Sequence, residues 1–269
     1  MKRFFLILLL APVLWGFCTP ANAESAYQRV QRTGTIRCGY LVWTPMMQVD
    51  PNTGALSGMN YEYMEAVAKT LGLKIDWVRE VPPGQQVEEL RTGTIDAICS
   101  ADGPLVPAMA RYVFYTRPIA RFPFRIYMRK GDPRLKEGMD KLNADNIRFT
   151  IVDGDLSGSV IGMRFPKAKR LSLAMNADPS QMMMDVVTRK ADALINDDFT
   201  MAAYLKSNPD ALQRVEPDIP VADIPNAFSV LQGPDGLPLK TLLDQGIENV
   251  KNFGIEAEIF KNYGINPQD

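Results

Sequence analysis

Two stretches of this chain, VEELRTGTIDAICS (87–100) and MMDVVTRKADALIND (183–197), follow one plan. Each runs from a helical pattern through a short turn to Asp-Ala, an apolar pair, and polar residues at a strand end. Other segments extend the alternation. TIRCGYLVW reads as a strand, NYEYMEAVAKTLG as a helix with Met64, Val67, Ala68 and Leu71 on one face, and LKIDWV as a further strand. The pattern then restarts: IRFTIVDG a strand, PSQMMMDVVTRK a helix, ADALIN a strand, DFTMAAYLKS a helix. An alternation that begins twice predicts an α/β protein of two lobes, each a mostly parallel sheet flanked by helices. Two extended apolar stretches, IARFPFRIYMRKGD and IPNAFSVLQGPD, lie where the chain would enter the second lobe and return. The expected division is 24–122 with 226–269 for lobe 1, and 123–225 for lobe 2. Leu239, Leu242, Leu243, Ile247 and Val250 give the last segment a core-facing stripe, so its helices complete lobe 1.

Lys2 and Arg3 precede the run FFLILLLAPVLWGF, and Ala21-Asn22-Ala23 supplies a small-x-small cleavage pattern. Residues 1–23 therefore read as a secretory signal peptide, and the mature chain as a periplasmic protein. Cys18 follows the bulky Phe17, which does not suit a lipid-anchor signal. Lys+Arg number 30 and Asp+Glu 31, a balance that gives no footing to nucleic acid as a partner. Histidine is absent altogether, which removes Ser-His-Asp and Cys-His catalysis and His-metal sites. Cleavage would leave Cys38 and Cys99, too few thiolates for a zinc site. In an oxidising compartment these two either form a disulfide or remain buried thiols. The methionines at 182–184 read as helix-face packing rather than a soft metal site. No metal and no cofactor is expected.

In order, the segments GTIRCGYLVWTPM, TGALSGMNYEYMEAVAKTLGLKI, ELRTGTIDAICS, FYTRP, YMRKGDPRL, RKADALINDDFTMAAYL and LLDQGIENVKNFGIEAEIFKNYG resemble the periplasmic solute-binding proteins of family 3, the amino-acid-receptor type. The resemblance covers nearly all of the mature chain and rests on order and spacing. It implies a type II periplasmic-binding-protein-like fold, two lobes joined by two hinge strands, and a small-molecule solute held in the cleft. It further implies a monomeric receptor that delivers its solute to the membrane permease of an ABC transporter.

The resemblance also implies roles for particular residues. Trp43, two residues before Pro45, occupies the place of an aromatic that stacks on the ligand, or else is lodged in the core. Ser100 stands where a hydroxyl bonds the ligand, and Asp102 adds a carboxylate suited to an amine, or else caps the next turn. Asp197 stands at the strand end where receptors hold an ammonium, while Asp198 is expected to cap the helix beginning at Phe199. Ser157, Gly158 and Ser159 stand at a helix start whose free N–H groups suit a carboxylate, without the usual Gly-Thr-Thr pattern, or else simply cap the helix. In such receptors an arginine about six residues before the aromatic of FYTRP grips the ligand carboxylate. Counting back from Tyr115 reaches Met109, and Arg111 lies two residues late. Either Arg111 serves from its offset position or the anchor is missing, and the solute is then an amine or another cation. Two other functions remain open on this scaffold: a periplasmic enzyme similar to dehydratases, and an accessory or sensory subunit that binds little solute. The receptor, without catalytic activity, is the leading expectation.

Overall fold

Two ten-residue strands carry the chain through the middle of the molecule in the computed structural model. It describes residues 24–102, 107–175, 177–215 and 219–265, with 101, 102, 107 and 108 through the backbone alone. The expected signal peptide lies outside the described residues. The first elements are α1 (Ala26–Thr33), β1 (Thr35–Tyr40), the short pair β2 (Gln48–Val49) and β3 (Leu56–Ser57), α2 (Met59–Thr70), β4 (Lys74–Glu80), α3 (Gln86–Arg91) and β5 (Ala97–Asp102). After α4 (Pro107–Ala110) and β6 (Val113–Tyr115) comes the long β7 (Ala120–Arg129). The second half contains β8 (Arg148–Val152), α5 (Leu156–Arg164), β9 (Lys169–Leu173), α6 (Ser180–Val187), β10 (Ala193–Asp197), α7 (Asp198–Ser207) and β11 (Leu212–Arg214). The long β12 (Ala222–Leu231) leads to α8 (Gly236–Asn252) and α9 (Ile255–Tyr263).

The main sheet runs β4-β1-β5-β12-β7-β10-β8-β9, with β6 on β12 and β11 on β7. Pairings β1/β4, β1/β5, β8/β9 and β8/β10 are parallel. The central strands β7 and β12 pair antiparallel from Ala222 opposite Phe124 to Asn226 opposite Ala120. Beyond that ribbon β12 turns to β5 and β6, while β7 turns to β10 and β11. The apolar cores divide accordingly. Val30, Ile36, Tyr63, Met64, Phe228, Leu239, Leu243 and Phe260 share one, joining α8 and α9 to the N-terminal strands. Ile126, Phe149, Ile151, Val160, Ile161 and Ile195 share another. The fold is thus a two-lobed α/β architecture, each lobe built on parallel strands.

The repeated Asp-Ala step has one physical cause in both lobes. Asp96 donates its backbone N–H to the Arg37 carbonyl near the start of β1, and its carboxylate accepts the Arg37 N–H at 2.7 Å. Asp192 does the same to Arg148 at the start of β8, accepting its N–H at 2.9 Å. Each aspartate therefore stitches its own strand to a neighbouring parallel strand, and Arg37 and Arg134 neutralise the two carboxylates. A buried anion held by backbone N–H and guanidinium groups is stable only as part of such a set.

The sequence reading passed over α1. Its signal was present: Ser25 and Gln28 form a reciprocal capping box, and Gly34 closes the helix in the left-handed region at φ 66°. Met182 and Met183 are buried in helix packing and Met184 is exposed. Among the described residues no cluster of His, Cys, Asp and Glu suits a metal ion.

Candidate functional site

The chain leaving β1 forms a close loop, with a cis Thr44–Pro45 bond and reciprocal backbone hydrogen bonds between Trp43 and Met47. Gly58 is required beneath it: its φ is 114°, and a Cβ there would lie 2.5 Å from the Met46 carbonyl oxygen. This loop sets Trp43 edge-on to Phe122, centroids 5.0 Å apart, so the ring that was expected to stack on a ligand packs on the start of the hinge strand β7. Its indole N–H donates to Asp197 Oδ2 at 2.9 Å and to Thr200 Oγ1 at 3.1 Å, both from the other lobe. Thr200 in turn donates to the Thr44 carbonyl at 3.2 Å.

Trp43 and Asp197 are thus brought together, but as partners of each other. Asp197 is fully buried. Its extended backbone (φ −77°, ψ 158°) aims Oδ1 at the start of α7, where it accepts from Phe199 N–H at 2.9 Å and Thr200 N–H at 2.8 Å. Asp197, and not Asp198, is therefore the helix cap. Asp198 is already helical and turns outward, accepting from Arg125 at 2.9 Å and Tyr127 at 2.8 Å and pairing with Arg214 at 3.0 Å. Burial pushes the Asp197 pKa up, against the hydrogen bonds from Thr200, Trp43 and Phe199.

Ser100 has partners within the chain. Its buried hydroxyl accepts the Leu41 N–H at 2.8 Å and donates to the Leu41 carbonyl at 3.1 Å, closing β5 onto the segment after β1. The donor and one lone pair of the hydroxyl are thereby in use within the fold. Asp102 ends β5 opposite Ala227, and its side chain lies outside the described residues.

Arg111 is exposed on the turn after α4, its guanidinium 5.4 Å from the Tyr112 ring centroid. It contributes nothing to the cavity described below, whereas Met109 does. The anchor position reached by counting back from Tyr115 is therefore apolar. A two-residue shift across the short helix α4 turns the side chain away.

The start of α5 carries its own anion. Asp155 is the cap, accepting from Ser157 Oγ at 2.5 Å and Gly158 N–H at 3.3 Å, and burial pushes its pKa up. Ser157 is buried in this turn. The carboxylate site expected at Ser157, Gly158 and Ser159 is thus partly filled by a carboxylate of the chain, while Gly158 and Ser159 line the cavity beside it.

That cavity has a volume of about 730 Å³ and walls from both lobes. Lobe 1 supplies Val87, Glu88, Arg91, Met109 and Tyr112; lobe 2 supplies Ile151, Asp153, Ser159, Met163 and Arg170, among others. The lobes touch at its edge: a Cβ on Gly154 would lie 3.1 Å from the Pro83 carbonyl oxygen. Sequence reasoning missed Arg91, Tyr112 and Arg170. The paired turns PPG (82–84) and VDG (152–154) were the available signal that two loops meet there. Behind the site Cys38 and Cys99 are joined in a disulfide between β1 and β5.

Comparison with known proteins agrees with this architecture. Residues 36–266 match the family model for bacterial extracellular solute-binding proteins, family 3. A Haemophilus influenzae protein named "Probable amino-acid ABC transporter-binding protein" is 22% identical over 96% of each chain. Among solved structures, the ancestral amino acid-binding protein AncCDT-1, a precursor of cyclohexadienyl dehydratase, superposes with a TM-score of 0.73 at 21% identity, covering 89% of this chain and 99% of that one. An ancestral arginine-binding protein bound to arginine gives 0.68 at 20% identity, covering 86% and 98%. By the span of the family match and the two-lobed fold, this chain is a member of the bacterial extracellular solute-binding proteins, family 3.

Proposed function

We propose that the protein is the extracytoplasmic receptor of an ABC-type importer, closing its lobes on a small polar, amine-bearing solute. The observation that carries this reading is the cavity of about 730 Å³ walled by both lobes, a volume within the usual range for small-molecule sites. A solute touching both walls favours the closed form by its contacts there, and a permease can then read loaded from empty protein by shape. Glu88 and Asp153 line the cavity with no ion pair to Arg91 or Arg170, and these carboxylates suit an amine on the solute. The lobe boundaries we propose, at 122/123 and 225/226, fall inside the β7–β12 ribbon. The receptor works as a monomer in the periplasm after loss of residues 1–23, binding its solute without turnover.

Native mass spectrometry of freshly purified protein tests the reading. A small molecule retained at one copy per chain, and released on mild denaturation unchanged in mass, is the expected result. A chain that never retains or takes up a small molecule would instead be an accessory or sensory subunit. A chemically altered product would make it an enzyme.

A further inference from the structure

The strand β12 passes from the central ribbon into lobe 1 at Asn226, whose partner across the ribbon is Ala120. From Ala227 onward β12 pairs with β5, and the register shifts before Ser229. The Asn226 side chain is an amide buried at that joint, 2% exposed, and it meets a second amide, Asn60 in the first turn of α2, 0% exposed. Asn226 Nδ2 donates to Asn60 Oδ1 at 2.6 Å. Two facing amides can make a reciprocal pair of such bonds. Here only one is made: Asn60 Nδ2 and Asn226 Oδ1, a donor and an acceptor of the same pair, are buried without a hydrogen-bond partner. Exchanging O and N in both amides leaves the same count. Each orphan bears its desolvation cost with no bond to offset it.

The pair is joined to the contact between the lobes. The Asn60 backbone N–H donates to the Met46 carbonyl at 2.8 Å. Met46 lies in the loop whose Trp43 donates to Asp197 and Thr200 of lobe 2. Along this path the closed arrangement makes its bonds at the Trp43 end and leaves one unmade at the hinge end. The first turns of α2 are fixed in the lobe 1 core by Met59, Tyr63 and Met64. Twisting β12 at the end of the ribbon, as opening requires, therefore moves the Asn226 amide against a stationary Asn60.

We propose that Asn60 and Asn226 are positioning residues of the hinge, sharing one hydrogen bond in the closed form and two in the open form. The pair opposes the Trp43 contact and keeps the two forms close in free energy. A small difference between them is what lets the contacts of a bound molecule decide the outcome. This rests on the receptor reading for the motion of the lobes and not for the nature of the solute.

The test is the distance between spin labels at Thr92→Cys in lobe 1 and Lys167→Cys in lobe 2, both exposed positions, read by double electron–electron resonance. The protein is first unfolded and refolded with its disulfide intact, which strips any retained molecule. Trp43→Phe should add a longer distance, that of the open form. Asn60→Ala, Asn226→Ala and the double variant Asn60→Leu with Asn226→Leu are then made in that background, and circular dichroism selects those that fold. In each of them the pair no longer distinguishes the two forms. Each should therefore raise the closed-to-open ratio by the same factor, roughly three- to tenfold, the worth of one buried bond. A pair that only held α2 to the hinge would give no shift or a shift toward the open form. Either result overturns the proposal, and so does a Trp43→Phe protein that shows the short distance alone. The receptor reading is judged separately, by whether the wild type retains a small molecule in mass spectrometry.

Discussion

The indole N–H of Trp43 meets the carboxylate of Asp197 at 2.9 Å, and with that one bond the loop after β1 in lobe 1 is tied to the first turn of α7 in lobe 2. The two residues are far apart in sequence and lie on opposite sides of the hinge ribbon. Trp43→Phe keeps the packing against Phe122 but removes the donor. Asp197→Asn keeps a cap oxygen for α7 but presents an amide N–H to the indole N–H. Each should destabilise the closed solute-free protein by about 1–3 kcal/mol, the usual cost of leaving a buried polar partner unmade. Small-angle scattering should show a larger radius of gyration in both variants. An unchanged profile would mean that the contact does not hold the lobes together.

The same carboxylate makes folding stability pH-dependent. Burial raises the Asp197 pKa above the ordinary carboxylate value, so the folded protein holds this proton to higher pH than the unfolded chain. Its contribution is therefore fully present below the unfolded pKa of about 4 and is lost as pH rises through the raised folded value. Asp132 has the opposite sign, since Arg134 holds it at about 2, so its contribution is lost as pH falls toward 2. Thermal unfolding midpoints followed from acid to neutral pH should show the Asp197→Asn variant gaining on the wild type as pH rises. A difference that stays constant across the range would refute the assignment.

Arg111 has a clear negative expectation. Its guanidinium is exposed over Tyr112 and outside the cavity. Arg111→Ala should leave affinity for any solute that binds within about twofold and stability within about 0.5 kcal/mol, as for ordinary surface positions. A tenfold loss in calorimetry would show that the solute reaches beyond the cavity wall.

The Cys38–Cys99 bridge closes a loop with a sequence separation of 61. Chain-entropy arguments assign such a loop about 4 kcal/mol, within a usual range of roughly 2–5. Reduction should lower the urea midpoint by a corresponding amount. The double Cys→Ala variant should behave as the reduced protein does, with no further response to reductant.

Much of the fold was legible because the lobes are built from local patterns. The helical stripe of Met64, Val67 and Ala68 is buried where its spacing placed it, and the two Asp-Ala steps mark equivalent strand junctions. The site was harder to read, since its contacts depend on which neighbour a side chain meets. Asp197 and Asp198 are adjacent carboxylates before one helix, and the backbone angle at Asp197 decides which of them caps it. Ser100 closes the apolar run of its strand in the sequence, yet β5 continues to Asp102 and the Leu41 backbone lies within its reach. Arg91 and Arg170 come from different lobes, and no local pattern announces that they face one cavity.

Gly154 offers a direct test of how tightly the lobes meet. Its φ of 82° favours glycine, and its Hα side faces the Pro83 carbonyl, where an added Cβ would lie at 3.1 Å. Gly154→Ala therefore strains the backbone by about 1–2 kcal/mol and also presses on the opposite lobe. The neighbour can yield only by moving the Val81–Gln85 segment or by opening the cleft, and Val81 is fixed in its core by burial. Opening the cleft is the cheaper response. The variant should scatter as a more extended particle without solute and bind its solute several-fold more weakly, mainly through faster release. Gly84→Ala serves as the control: there φ is 84° with only the Met175 sulfur at 3.4 Å and Gly154 Cα at 3.8 Å, so comparable backbone strain meets a flexible neighbour. If the two variants bind and scatter alike, backbone strain alone explains the result and the loops do not gate closure.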